Sequence, residues 1–358
     1  MDHRGGERHW WLGKRIVTIG GGTGPFALLS SLKRYPCAIT AIVTMADSGG
    51  SSRRLMDEFG QLPFGDLRQA LVALSRKGVL WRDVFAFRFR QTNGNATLEL
   101  DAGDTAESAA DAADAPAGVT GHSLGNLVIS ALQEINHGDL LMAIQDAQEL
   151  LDTAGDVLPV TLDHATLCAT LENGDVIKGE THIDTRGIEH PEELPAIRQL
   201  FLRETAAACP QALRAIRRAD AIIIGPGDLY TSILPNLLVD GIAESIRAAE
   251  GVKIYVCNLM TKHGETDGFQ ASDFVREVHR YLGGRVDRVV LHDGSFPDHL
   301  VAAYQLEQRH PVRADLAAVR EMVPDVEVER LVADGHDHYV RHDPERLMRA
   351  AFADLDGV

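Results

Sequence analysis

The sequence is short of the features that mark several large protein classes. It has four cysteines in 358 residues. Cys37, Cys168, Cys209 and Cys257 are scattered, with no Cys-x-x-Cys, so a disulfide scaffold and a thiolate metal site are excluded. Reduced thiols of a cytoplasmic protein are expected. No run approaches the ~18 apolar residues of a membrane span. The stretch Met1–Arg15 is polar around Trp10-Trp11-Leu12 and lacks the apolar core of a signal peptide. Basic residues are few: 35 Lys and Arg face 52 Asp and Glu, a net charge of −17. Nucleic acid is therefore not expected as a partner, because its affinity rests on phosphate neutralisation by Lys and Arg.

What is present is an apolar content of 45% and 33 glycines. The first excludes disorder. The length allows a sizeable core. The charge is uneven: residues 1–90 hold 14 basic and 7 acidic side chains, so the remainder carries −24. A basic front quarter on an acidic chain points to a local site for a small anion.

The order of elements predicts an α/β fold, doubly wound and Rossmann-like, with a mostly parallel sheet. Arg15–Ile19 reads as a buried strand, Phe26–Arg34 as a helix and Cys37–Met45 as a second strand. Further strands are expected at Ala219–Ile224, Val252–Cys257, Val286–Leu291 and Val326–Val332. Helices are expected at Tyr230–Leu238, Ile242–Ala249 and Ala271–Leu282, with a closing helix from Pro344. We read residues 1–358 as a single domain. Residues 95–118, with six acids and no base, read as a mobile insertion. Residues 157–184 read as a β excursion turning at Leu171-Glu172-Asn173-Gly174.

Six loops carry candidate chemistry, and 13 of the glycines lie in them. The first, Gly20-Gly21-Gly22-Thr23-Gly24, joins a strand to a helix, where glycines let backbone N–H groups approach a phosphate. No Gly-Lys-Ser/Thr follows, so it is not a P-loop, and Pro25 spoils a dinucleotide fingerprint. The second holds Asp47, Ser48, Gly49, Gly50, Ser51, Ser52, Arg53 and Arg54. Its donors suit a phosphate or a sugar, and Asp47 suits a ribose or a Mg²⁺ bridging phosphates. The third, Pro63-Phe64-Gly65-Asp66-Leu67-Arg68, places Asp66 as a helix N-cap. Arg68 sits in the first turn, against the helix dipole, which points to a ligand role. The fourth is Gly121-His122-Ser123-Leu124-Gly125-Asn126, with Ser123 as a cap. The fifth, Gly225-Pro226-Gly227-Asp228, runs into Tyr230, Thr231 and Ser232. Tyr230 either stacks on a base or packs. The sixth, Asn258–Phe269, holds Thr261, Lys262, His263, Glu265 and Asp267, and reads equally as an acid/base pair or a capping loop. The histidines of 335–342 lack partners at zinc spacing, so no metal is assigned there.

Ligands bind outside the carboxyl ends of parallel strands. Several Gly/Ser loops on that one edge imply a ligand with two or more phosphates, a nucleoside diphosphate conjugate.

Together these motifs resemble the gluconeogenesis-factor (YvcK-like) family, within the CofD-like phospholactate transferases. The likeness spans about residues 15–355 and rests on VTIGGGTGPFALLSSLKRYPCAITAIVTMADSGGSSRRL, GDLRQALVALS, GHSLGNLVISAL, GPGDLYTSILPNLLVDGIAESI and CNLMTKHGETDGFQASDF. The resemblance implies a cytoplasmic bacterial regulator that binds nucleotide sugars such as UDP-N-acetylglucosamine and is tied to carbon metabolism and cell shape. It leaves room for a homodimer and a regulatory protein partner. The related transferases imply an alternative: Mg²⁺-dependent transfer of a phospholactyl-type group from a guanosine diphosphate conjugate to a deazaflavin, with Asp47 as the catalytic metal ligand. The chain departs from the family at Ser48 (usually a second aspartate), Arg53 (usually glycine), Phe64 (usually proline) and Asp228 (usually serine). Asp228 adds negative charge beside the expected phosphate site.

Overall fold

In the computed structural model the described residues are 10–21, 24–46, 61–89, 122–190, 192–333, 340–353 and 355. The insertion 95–118, the loop 47–60 and the histidines His336 and His338 lie outside them.

The strands are β1 (Arg15–Gly20), β2 (Ala38–Val43), β3 (Asp156–Pro159), β4 (Leu167–Leu171), β5 (Val176–Lys178), β6 (Ile197–Leu202), β7 (Ala221–Ile224), β8 (Val252–Val256), β9 (Arg288–His292) and β10 (Asp325–Glu329). Seven of them form one sheet in the order β10-β9-β8-β7-β1-β2-β3, and every pair in it is parallel. The inner strands are apolar on both faces: Ile16, Ile19, Ile222, Ile223, Ile224 and Val290 are wholly buried. Burial on both sides is what a covered parallel sheet requires, so these strands read as continuous apolar runs. Edge strand β10 is half-buried throughout.

The helices pack in two groups. Gly24–Leu32 packs on Gly65–Leu74 and Pro344–Phe352, while Ile242–Ala248 packs on Pro210–Arg218 and Ala271–Leu282. Ala271–Leu282 forms where expected. Gln270 and Asp273 make a capping box at its start, and Gly283, at φ 64°, ends it in the left-handed region. One buried cation ties the far end of the sheet together. Arg288 on β9 binds Asp325 on β10 at 2.6 Å and donates to the carbonyls of Ala351 and Ala353, at the end of helix Pro344–Phe352.

Of the stretch 157–184, residues 157–159 belong to β3 and the main sheet. β4 and β5 pair as an antiparallel hairpin, and β6 joins them as a third strand from beyond the stretch. Helix Glu180–Glu189 intervenes. The segment expected as helix Tyr230–Leu238 is a π-turn, Leu229–Ile233, followed by the short helix Leu234–Leu237 with Pro235 in its first turn.

The chain runs outward from β1 to β2 and β3, then returns to the other side of β1 with β7. The sheet therefore changes direction between β1 and β7, and the carboxyl ends of these two neighbours frame the switch-point crevice.

Candidate functional site

The glycine turns after β1 and β7 meet at this crevice. A Cβ on Gly24 would stand 2.6 Å from the Pro226 carbonyl carbon and 2.7 Å from Gly227 Cα. Only glycine allows two backbones to run this close. A Cβ on Gly20 would meet the Pro25 ring at 3.1 Å, and one on Gly227 would lie 3.2 Å from the Gly21 carbonyl oxygen. Gly225 takes a positive φ of 82°. Gly22 and Thr23 fall outside the described residues, as do Asp47, Ser48, Gly49, Gly50, Ser51 and Ser52.

Asp66 is not the N-cap. Helix Gly65–Leu74 begins one residue earlier, with Phe64 at the cap position and no side-chain cap hydrogen bond. With Gly65 as the first helical residue, Asp66 falls in the first turn. The Asp66 carboxylate lies against Gly21, its Cγ 3.2 Å from where a Cβ would be. Arg68 is buried, 5% exposed, and its stem passes 2.7 Å from the Cβ position of Gly125. The third and fourth loops thus interlock. Ser123 is the cap expected of it, accepting from the Asn126 N–H at 3.2 Å. His122 and Asn126 are both buried beside it.

On the other flank, Asn258 Nδ2 donates to the Gly227 carbonyl at 2.8 Å. Two expected site residues turn away from the crevice. Tyr230 buries its ring against Phe269 and reaches Glu277 at 3.4 Å, so it packs rather than presenting a stacking face. Thr261 spends its N–H and its hydroxyl on the backbone of His310. Ser232 passes its carbonyl to the Asn236 amide. Thr231 donates to Asp184 at 3.3 Å.

That last contact reveals a cluster that sequence reasoning only half found. Lys262 sits among Asp184, Asp228 and Glu265, with Asp228 at 2.8 Å and Glu265 at 3.0 Å. Lys262 and Glu265 stood out in the sixth loop. Asp184 did not, because it comes from a helix of the small β unit and no local pattern connects the two. The charge added at Asp228 is thereby matched by a fixed ammonium. Burial works to raise the Asp228 carboxyl, but the Lys262 charge holds it below its usual range. Burial likewise opposes the Lys262 ammonium, and the three carboxylates raise it well above its ordinary value. Burial pushes Glu265 up to about 8 despite Lys262. Nearby, His263 Nδ1 pairs with Asp267 at 2.8 Å.

Glu265 makes stability pH-dependent, with a defined sign. Its folded pKa of about 8 exceeds the unfolded value of 4.5, so the folded chain holds the extra proton between these limits. The contribution is full below pH 4.5 and is lost as pH rises through 8, at up to about 1.4 kcal/mol per unit. Glu265→Gln is expected to remove this slope. Urea unfolding at pH 5, 7 and 8.5 should show the variant gaining on the parent as pH rises. Parallel pH curves would refute the assignment.

Among the described residues no group of three or more His, Cys, Asp or Glu is arranged as metal ligands. In the one carboxylate cluster of the crevice, the Lys262 ammonium takes the place of a cation. Asp47, the residue expected to hold a Mg²⁺, lies outside the described residues. No helix among them is long and apolar enough to cross a membrane.

A doubly wound parallel sheet with glycine turns abutting at its switch point defines a Rossmann-like protein of the α/β class. The chain belongs to the CofD family, whose model, described as 2-phospho-L-lactate transferase CofD, matches residues 16–332, and within it to the gluconeogenesis factors. The gluconeogenesis factor of Bacillus subtilis is 38% identical over 93% of this chain and 95% of its own length. A relative from Nostoc is 39% identical over 96% of this chain and 69% of its own. A crystal structure of a Bacillus halodurans protein superposes with a TM-score of 0.82 at 36% identity, covering 95% of this chain and 99% of that one.

Proposed function

We propose that the chain is a nucleotide-sugar-binding regulatory protein of central carbon metabolism and cell shape, with a UDP-sugar such as UDP-N-acetylglucosamine as its ligand. The observation that carries this reading is the meeting of the Gly20–Gly24 and Gly225–Gly227 turns between β1 and β7, with no room for a Cβ. Such a backbone crevice at a switch point suits a diphosphate. Arg68, buried two residues after the Asp66 that lies against Gly21, would supply positive charge. The relatives named as gluconeogenesis factors support the regulatory side. Calorimetry with a panel of UDP-sugars tests the reading, and no heat from folded protein with any of them would overturn it.

Arg68→Ala is expected to weaken UDP-sugar binding by about tenfold to a hundredfold, the worth of a charge-assisted hydrogen bond. Unchanged affinity in a variant that still unfolds cooperatively would remove Arg68 from the site.

The family match to a phospholactate transferase favours a second reading, group transfer from a nucleoside diphosphate conjugate. Its metal ligand would be Asp47. Incubation with such a conjugate, Mg²⁺ and a deazaflavin acceptor distinguishes the two: product formation supports the transferase, and binding without turnover supports the regulator.

A further inference from the structure

The crevice changes character past Gly227. Between β1 and β7 it is lined by backbone. Beyond Gly227, carboxylates gather around Lys262. Asp228 follows the Gly225–Gly227 turn directly, Asp184 reaches in from helix Glu180–Glu189, and Lys262 joins them. A lysine beside a glycine turn would ordinarily be read as a phosphate ligand. Here the ammonium has three N–H groups, and three carboxylates surround it. Two of the three N–H groups go to Asp184 and Asp228 and the nitrogen lies 3.0 Å from Glu265, so the ammonium is held by the cluster rather than offered to a phosphate.

The aspartates are not used up in the same way. Asp184 takes both Lys262 and Thr231 on Oδ1, and Asp228 takes Lys262 on Oδ2. Among the described residues nothing donates to Asp184 Oδ2 or Asp228 Oδ1. The two aspartate side chains are 25% and 41% exposed, against 12% for Lys262, so the carboxylates are the accessible part of the cluster and the lysine the covered part. Glu265 is an independent sign of an incomplete polar site. It is 3% exposed, lies against the same ammonium, and neither of its carboxyl oxygens has a hydrogen-bond partner.

Ionised carboxylates only accept hydrogen bonds. Two of them, fixed side by side, repel a phosphate and suit a pair of O–H donors. A divalent cation would have to bind next to an ammonium already in place, which opposes it. Hydroxyl groups carry no such penalty.

We propose that Asp184 and Asp228, held together by Lys262, form a hydroxyl-binding subsite that selects the sugar end of a nucleotide sugar over the bare nucleoside diphosphate. This rests on the nucleotide-sugar reading above. The diphosphate lies over the β1–β7 turns, and the hexose reaches across Gly227 to the aspartates. Lys262 is a positioning residue. Asp228, where the resembling family carries serine, adjusts this chain's preference among sugars.

Calorimetry on the full chain with UDP and with UDP-N-acetylglucosamine tests the subsite. The sugar conjugate is expected to bind roughly tenfold tighter than UDP, the worth of one good charge-assisted hydrogen bond. In Asp184→Asn and Asp228→Ser the ratio of the two affinities is expected to fall toward one. Equal affinities in the unmodified protein overturn the subsite with no variant needed. An unchanged ratio in folded variants overturns it as well. Binding of UDP without preference leaves the nucleotide reading standing, whereas absence of binding by both ligands overturns that reading and the subsite together.

Discussion

An Arg288→Met chain is expected to lose about 3–5 kcal/mol of folding stability, the usual cost of removing one partner from a buried charge network. Arg288 is 3% exposed and makes contacts of two kinds. Its Nε and terminal nitrogen hold Asp325 at 2.7 and 2.6 Å, joining β9 to β10. Its other nitrogen donates to the carbonyls of Ala350, Ala351 and Ala353 at 3.4, 3.2 and 2.6 Å. These are terminal carbonyls of helix Pro344–Phe352 and the residue after it, groups that no intrahelical N–H can serve. The guanidinium also places positive charge at the negative end of the helix dipole. Methionine fills similar space but leaves those carbonyls buried and unserved. Asp325 is half exposed, so water replaces part of its loss. Lysine is expected to recover only a fraction, because one ammonium cannot reach the carboxylate and three carbonyls in the fork that arginine provides. Urea unfolding measures both variants. A loss under 1 kcal/mol for Met would show that water caps this helix end.

Gly24→Ala is expected to cost at least tenfold in UDP-sugar affinity and about 1–3 kcal/mol in stability, the range for overpacking a filled site. The added methyl would meet the backbone of Pro226 and Gly227, not the end of a mobile side chain. Relief requires the β1 and β7 turns to part, which widens the crevice that the diphosphate is proposed to occupy. Calorimetry beside a thermal melt separates the two effects. Full affinity with an ordinary melt would mean that the turns do not set the ligand's position.

Much of the fold is legible in the sequence because the central strands are buried on both faces. Runs such as AITAIV and AIII have no other reading once a glycine turn follows. Helix Ala271–Leu282 carries its stop signal in Gly283. Strand β6 was not legible. Its residues, Ile-Arg-Gln-Leu-Phe-Leu, alternate poorly, with a buried–exposed–exposed–buried order that fits neither period. In the candidate site, the glycine turns stand out because they punctuate strands. The role of Asp66 was misread because a carboxylate before a helix looks like a cap, and one extra helical residue, Gly65, decides otherwise. Asp184 was invisible because its partner Lys262 lies 78 positions away. Such a contact is made by tertiary packing, and only the folded chain shows it.

The place of β1 in the sheet has a consequence for how the chain comes to be assembled. Arg15 on β1 pairs with Asp220 just before β7, 205 positions later. During synthesis β1 can zip to β2 and β3 early, but one flank stays open until more than half the chain has emerged. A bare flank of this kind is a template for wrong pairing with another chain. The close approach of the two glycine turns also forms late, since its second wall arrives with Gly225–Gly227. A nascent chain that stops before β7 therefore carries the Gly20–Gly24 loop without the wall that faces it. Under the nucleotide-sugar proposal, the ligand acts only as a late fastener, rewarding chains in which the two distant halves have found each other.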